Sequence, residues 1–178
     1  MPTPIPVFVH EVQAEFEPLH EWSFGERVDH PESAARVDSI LRALDAEPGV
    51  FERREPARFC DERARQLHNA AMLRLFEVVE ERDLDVPVFP SAFPQGGRVD
   101  PTNPAHAGAF CYDTATPLSR AAVRAARWAA ASAEDAARAV LGGAPLTYAL
   151  CRPPGHHASR DRFGGYCYYN NAALAALV

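Results

Sequence analysis

Ahead of residue 158 the chain leaves an apolar run (145–151), meets two prolines and a glycine, and presents two adjacent imidazoles: Cys151-Arg152-Pro153-Pro154-Gly155-His156-His157-Ala158. Few backbone geometries accept this string. Each proline fixes its own φ, lacks an N–H and biases the residue before it away from helix, so a strand entering over 146–151 must stop at Arg152. Gly155 then admits a conformation that a side chain would forbid. The product is a stiff loop at the carboxyl end of a strand, which is where open α/β sheets place their ligands. Adjacent imidazoles repel when both are charged, so the pair suits a site in which one ring takes a proton and the other tunes it.

The rest of the chain alternates apolar runs with amphipathic segments, which predicts an α/β fold with a mainly parallel central sheet and helices on both faces. A buried strand is expected over 6–10. Residues 11–29 show no sustained period and read as a loop whose glutamates (Glu15, Glu17, Glu21, Glu26) face water, tethered by Phe16, Trp22 and Phe24. A helix is predicted over 31–44, with Pro31 in its first turn, Glu32 at the positive end of its dipole, and Val37, Ile40, Leu41 and Leu44 on one stripe. His30 is expected to be structural. A short strand falls within 51–59, and a second helix over 68–84 carries Met72, Leu75, Phe76 and Val79 inward, with His68 partly exposed at its end. Residues 87–116 form a long loop, of which 90–97 can be neither regular helix nor central strand, and loops of that length are usually functional. Asp100 is the only acid between Asp85 and Asp113 in it, and His106 reads as structural. Thr116 as N-cap with Pro117 at N1 opens an alanine-rich helix over 118–141, stopped by Gly142-Gly143, with Trp128 as a packing anchor. A strand over 146–151 feeds the histidine loop, and Asn170 or Asn171 caps a last helix over 172–178.

At 178 residues, with 47% apolar and 24% charged side chains, the sequence supports one globular domain with a core. A net charge of −6 argues against a nucleic-acid partner and suits a cationic ligand. No apolar run reaches membrane-spanning length, and the first nine residues lack a basic region and a signal-like apolar core. Four cysteines without a CxxC spacing fit a reducing cytoplasm.

The segments 151–157, Phe163-Gly164-Gly165-Tyr166-Cys167 and Asn170-Asn171-Ala172-Ala173 together resemble the histone deacetylase superfamily, and within it the bacterial acetylpolyamine amidohydrolases. A softer likeness runs through His30-Pro31-Glu32 with Arg36, and through 90–94 and 110–117. The resemblance spans nearly the whole chain but only the first half of the family's domain, 1–178 being its N-terminal part. It implies the arginase/deacetylase topology and zinc-dependent hydrolysis of acetyl-amides of acetylpolyamine or acetyl-lysine type. By the same resemblance His157 would be the general base that later protonates the leaving amine, and His156 its electrostatic partner. Gly165 would turn a carbonyl toward the substrate amide N–H, Gly164 would let the backbone pass close by, and Tyr166 would wall a narrow channel. Glu21 would face the distal ammonium of a small acetylated amine. The 87–116 loop would line the mouth and, as in some relatives, contribute to a homodimer.

Other accounts of the imidazoles exist. They could be a buried hydrogen-bonded pair with no catalytic part. Cys151, His156, His157 and Cys167 could together bind zinc, although their spacing fits no recognised tetrahedral pattern. Cys151 could be a nucleophile, although a thiol at a strand end beside prolines is usually inert. In the family the resemblance points to, zinc is held by an Asp-x-His pair and a further Asp beyond the tandem histidines, and the sequence contains no Asp-x-His. The expectation is therefore an N-terminal fragment or truncated gene product with an open sheet edge, which holds no catalytic zinc and hydrolyses nothing alone. The alternative is a non-catalytic acyl-amine-binding or regulatory remnant of a deacetylase domain.

Overall fold

A computed structural model describes residues 3–94 and 98–178. In chain order the elements are β1 (Ile5–Phe8), a 3-10 turn (Glu11–Glu15), β2 (His20–Ser23), β3 (Glu26–Asp29), α1 (Ala34–Asp45), β4 (Phe51–Arg54), α2 (Asp61–Leu67), α3 (Ala70–Glu81), a 3-10 turn (Pro104–Ala109), α4 (Arg120–Leu141), β5 (Tyr148–Ala149) and α5 (Asn171–Ala176).

The sheet order is β4-β1-β5 and both pairings are parallel, with Ile5 opposite Phe51 and Val7 opposite Tyr148. Successive strand residues point to opposite faces. Val7 meets Val37, Ile40, Leu41 and Leu44 of α1 on one face, and Phe8 is buried on the other, where α4 runs against β1 and β5. Helices therefore cover both faces, as expected. The larger core lies away from the sheet. Phe76 and Met72 of α3, Phe163, Tyr168, Tyr169 and Leu174 close on the inner face of α4. Ala122, Ala125 and Ala130 are fully buried there, and methyl side chains are what let the neighbouring elements come so near.

Several boundaries differ from expectation, each for a local reason. The 11–29 segment is not a loop: it holds a 3-10 turn and an antiparallel hairpin of β2 and β3. Its two-residue tip, Phe24-Gly25, has φ of 50° and 85° at both positions, a twist that matches the strands it joins. Phenylalanine there is an unusual tip residue, and all four residues of β3 are exposed, so neither the turn nor an alternating pattern advertised the hairpin. Helix α1 starts at Ala34, not Pro31, because Ser33 caps it and Glu17 accepts from both Ser33 Oγ and the Ala34 N–H. Strand β4 ends at Arg54, ahead of Pro56, and α2 follows where no helix was expected. Its seven residues are tied to α4 by Arg63, which reaches the buried Glu134.

Helix α3 is capped by Asn69, so His68 lies between two helices and is 1% exposed, not partly exposed. Helix α4 is capped by Ser119 instead of Thr116, since the backbone of Leu118 is engaged with Val88. Strand β5 shrinks to two residues. Asn170 is the residue that caps α5, accepting from the Ala173 N–H. Residues 90–94 are irregular, as expected, while 95–97 of that stretch lie outside the described residues.

Replacing Phe76 by Ala removes a fully buried ring from the centre of the larger core and is expected to lower unfolding stability by about 3–5 kcal/mol. Leu146→Ala, at an exposed position, should stay within about 0.5 kcal/mol. Denaturant midpoints of the two variants check the difference.

Candidate active site

The histidine loop is fastened before it is chemical. The Arg152 backbone N–H donates to Gln13 Oε1 at 2.6 Å, and its guanidinium donates to the Gln13 carbonyl at 2.7 Å and to the Glu32 carbonyl and Glu17 Oε2 at 3.3 Å. The Arg152–Pro153 bond is cis. Gly155 runs so close to Asn171 and the Tyr169 carbonyl that a Cβ would stand 2.5 Å from the Asn171 backbone N. The strand end, the prolines and the glycine thus deliver what their order promised: a loop with no room to move.

His156 and His157 emerge from it exposed, with ring centroids 4.3 Å apart and planes tilted by 60°. They are not a buried pair. Among the described residues neither ring has a hydrogen-bond partner. The His157 backbone N–H points at Cys167 Sγ, 3.4 Å away.

The facing wall is the Gly164-Gly165-Tyr166 turn, where three successive residues have φ of 148°, 57° and 64°. Such a turn needs outside support, and Asp113 supplies it. Its Oδ2 accepts from the Gly165 N–H at 2.5 Å, and its Oδ1 accepts from the Ala115 and Thr116 N–H groups. Thr116 Oγ donates to Asp113 and accepts from the Tyr166 N–H at 2.9 Å. A Cβ on Gly165 would meet the His157 ring at 2.8 Å, so glycine is required there both by backbone and by contact. Among the described residues the Gly165 carbonyl receives only the weak Cys167 thiol donor, at 3.3 Å, and keeps a free lone pair.

Tyr166 donates its hydroxyl to Glu21 Oε2 at 2.6 Å, and its ring lies edge-on to His30, 4.9 Å away. Burial, with the Glu21 bond second, pushes the Tyr166 phenol well above its ordinary value. Glu21 is itself buried, on β2, with its carboxylate turned to Tyr166. His30 donates through Nε2 to the Ala115 carbonyl and accepts the Glu32 N–H on Nδ1, a structural part in keeping with expectation.

These pieces line one cleft of about 350 Å³, which brings together His156, His157, Gly165 and Tyr166 with Pro31, Glu32, Arg36, Cys151 and Pro154. A larger cleft of about 460 Å³ lies between the 3-10 turn after β1, the end of β4 and α1 (Gln13, Val37, Leu41, Arg54) and is lined by no imidazole pair or glycine turn. Of the site residues read from sequence, Glu21 does not line the His156–His157 cleft directly and reaches it through Tyr166. Asp113, Thr116 and Arg152 escaped sequence reading as site-builders, although an Asp followed by Thr-Ala-Thr is a turn signal that could have flagged the first two. Burial pushes the Cys151 thiol up to about 12, which leaves it protonated and without nucleophilic use.

Among the described residues no three His, Cys, Asp or Glu side chains converge on a point where a metal could sit. Cys151, His156, His157 and Cys167 do not form such a group. The described residues by themselves thus present no converging donor set for a catalytic zinc.

The histone deacetylase domain model matches residues 30–178. The chain belongs to the histone deacetylase family. Two curated relatives are acetylpolyamine amidohydrolases: one from Burkholderia pseudomallei (strain 1710b), 38% identical over 82% of this chain and 43% of its own length, and one from Mycoplana ramosa, 36% identical over 85% and 46%. In the solved structure of acetylpolyamine aminohydrolase from Burkholderia pseudomallei the likeness covers 97% of this chain and 52% of that one, with a TM-score of 0.82 and 34% identity. The HDA15 HD domain shares the fold at a TM-score of 0.69 and 24% identity. This deacetylase-family chain spans about half the length of the curated relatives it matches.

Gly165→Ala should lose about 1–2 kcal/mol for the left-handed backbone alone. It should also displace the neighbouring ring, which sits 2.8 Å from the added methyl. Denaturation together with the ring proton shifts of His157 by NMR reads both effects.

Proposed function

We propose that this chain supplies the imidazole-bearing wall of a site for hydrolysis of acetyl-amides, of the acetylpolyamine or acetyl-lysine type. What carries the reading is the convergence of exposed His156 and His157 with Gly165 and Tyr166 on one cleft. In it His157 takes the proton of an attacking water and returns it to the leaving amine, and His156, one ring away, balances the charge that develops. The free lone pair of the Gly165 carbonyl accepts the substrate amide N–H. Tyr166 walls the channel, and Glu21 behind it gives that wall the negative charge that an amine-terminated substrate prefers. The net charge of −6 favours the same substrates. Zinc, in the complete family enzyme, would activate the water. Among the described residues the donors do not converge on a metal.

A second reading is a non-catalytic acyl-amine-binding or regulatory remnant that keeps the loop and the channel wall. For either, a small acetylated amine as ligand, a homodimer and a cytoplasmic location are part of the proposal, with no nucleic acid or membrane as partner. No helix among the described residues is long and apolar enough to cross a membrane.

Metal analysis and an acetyl-lysine reporter separate the two. The 178-residue protein is expected to hold well below one zinc per chain and to leave the reporter intact. Extended by the half of the relatives' domain that it does not match, it should bind one zinc and turn over. His157→Ala in that longer form should then cost about 10²–10⁴-fold in turnover while the fold is kept. Turnover by the extended form that survives His157→Ala rules out the assigned base. An extended form that binds the amine without turnover selects the remnant.

A further inference from the structure

His68 sits in the core between α2 and α3, and both of its ring nitrogens have partners. Nδ1 is 2.8 Å from the Ser159 carbonyl oxygen, and Nε2 is 3.2 Å from the backbone N–H of Asn170. A carbonyl only accepts and an amide N–H only donates. The two bonds coexist in one form of the ring: neutral, with the proton on Nδ1. We propose that His68, locked in this tautomer, is a positioning residue for His156 and His157, clamping the far end of their loop to the start of α5.

Neighbouring bonds run the same way. The Asn69 N–H donates to the Arg160 carbonyl at 2.7 Å, and Asn170 Nδ2 donates to the Ala158 carbonyl at 2.8 Å. Ala158 is buried, and His157 is bonded directly to it in the chain. The imidazoles therefore project from a loop held at its entry by Arg152 and at its exit by His68. Sequence alone made His68 a partly exposed helix end, and only its burial reveals the second anchor. Its part in the cleft rests on the reading proposed above, whereas its tautomer and its hold on the loop do not.

The clamp has a pH limit. Burial lowers the His68 pKa from its ordinary 6.5, opposed by the Ser159 bond. Charged groups around it are few. Arg160 and Asp161 of the loop are exposed, Asp161 being bonded to the Asn69 amide, and Tyr169 touches the ring edge-on at 5.8 Å with Arg127 of α4 beyond it. A folded-state value below the unfolded one means that the contribution of His68 to stability is complete above about 6.5 and is lost as the pH falls through the folded value. A proton on Nε2 would then face the Asn170 N–H, donor against donor.

Long-range ¹H–¹⁵N correlation spectra of the 178-residue protein at about pH 7.5 test the proposal directly. The Nδ1–H tautomer is expected at His68, and an Nε2–H or charged ring would overturn it. In His68→Ala the amide signals of β1, β4 and α4 should hold their positions. Those of 155–162 and 170 should shift or broaden, and the ring-to-ring nuclear Overhauser effect between His156 and His157 should vanish. An unmoved loop in a folded variant overturns the positioning role. Should that variant not fold, acid titration of the parent protein decides: the amides of Arg162 and Asn170 must move with the midpoint of the His68 ring, and any other midpoint refutes the clamp. Neither measurement reads hydrolysis, so the clamp and the proposed activity stand or fall separately.

Discussion

The guanidinium of Arg152 is the joint that the rest of the molecule is assembled around. Its side chain is 3% exposed and touches two separate stretches of chain: Gln13 and Glu17 after β1, and Glu32 ahead of α1. Its Nε stands 3.3 Å from Glu32 Oε2, an ion-pair contact rather than an aligned hydrogen bond, and Phe16 lies beneath it at 5.4 Å. Burial pulls its pKa down, and the carboxylates of Glu32 and Glu17 oppose that. Taking a guanidinium out of water is expensive, and a buried pair that loses one member is destabilised by about 3–5 kcal/mol. Charge without its partners is not tolerated in that place, so the loop, the 3-10 turn and the start of α1 have one mutual arrangement. Glu17 deepens the coupling: the carboxylate that meets Arg152 also caps α1 through the Ala34 N–H at 2.7 Å.

How much of this was legible depends on whether the signal was local. The stripes of α1 and α3 and the alanine run of α4 are periodic over three turns or more, and each helix lies within a few residues of its expected place. What failed was short or lacked a pattern. The seven residues of α2 have no stripe of their own and are held by Arg63 reaching Glu134 on α4, a contact that no window of sequence contains. In the β2–β3 hairpin all of β3 is exposed and the one buried residue of β2 is Glu21, a charged one, so no apolar alternation survives. At the site, the imidazoles and the glycine turn were readable because proline and glycine state their backbone geometry outright. Asp113, His68 and Arg152 were not, since each acts on partners 52 to 139 residues away.

The two walls of the cleft are built on different principles. The histidine wall is rigid by covalent restriction and is then pinned at both ends. The Gly164-Gly165-Tyr166 wall is rigid by hydrogen bonding: three left-handed or otherwise unusual backbones in succession persist because the Cys167 carbonyl, Asp113 and Thr116 accept their N–H groups in turn. Glycine absorbs two of those conformations at little cost, but Tyr166 does not. Its side chain is held from the outside instead, by Glu21 and by the edge of His30. The hairpin that sequence reading missed is thus what holds Tyr166, which lines the cleft.

That division bears on what the cleft can do. Proton transfer by an imidazole is efficient when the ring is oriented by an acceptor on its far nitrogen and shielded from bulk water. The backbone under His156 and His157 meets a strict positional standard, yet both rings are exposed and no described acceptor fixes their far nitrogens. Their geometry is preorganised at the Cα and free at the ring. Binding an amine-bearing acyl group against Tyr166 and the Gly165 carbonyl needs only the fixed backbone. Hydrolysis needs the rings fixed as well, by a surface that covers them and brings carboxylates to their outer nitrogens. The difference between the catalytic and the binding reading therefore lies in what lies over the imidazoles, and not in the loop that carries them.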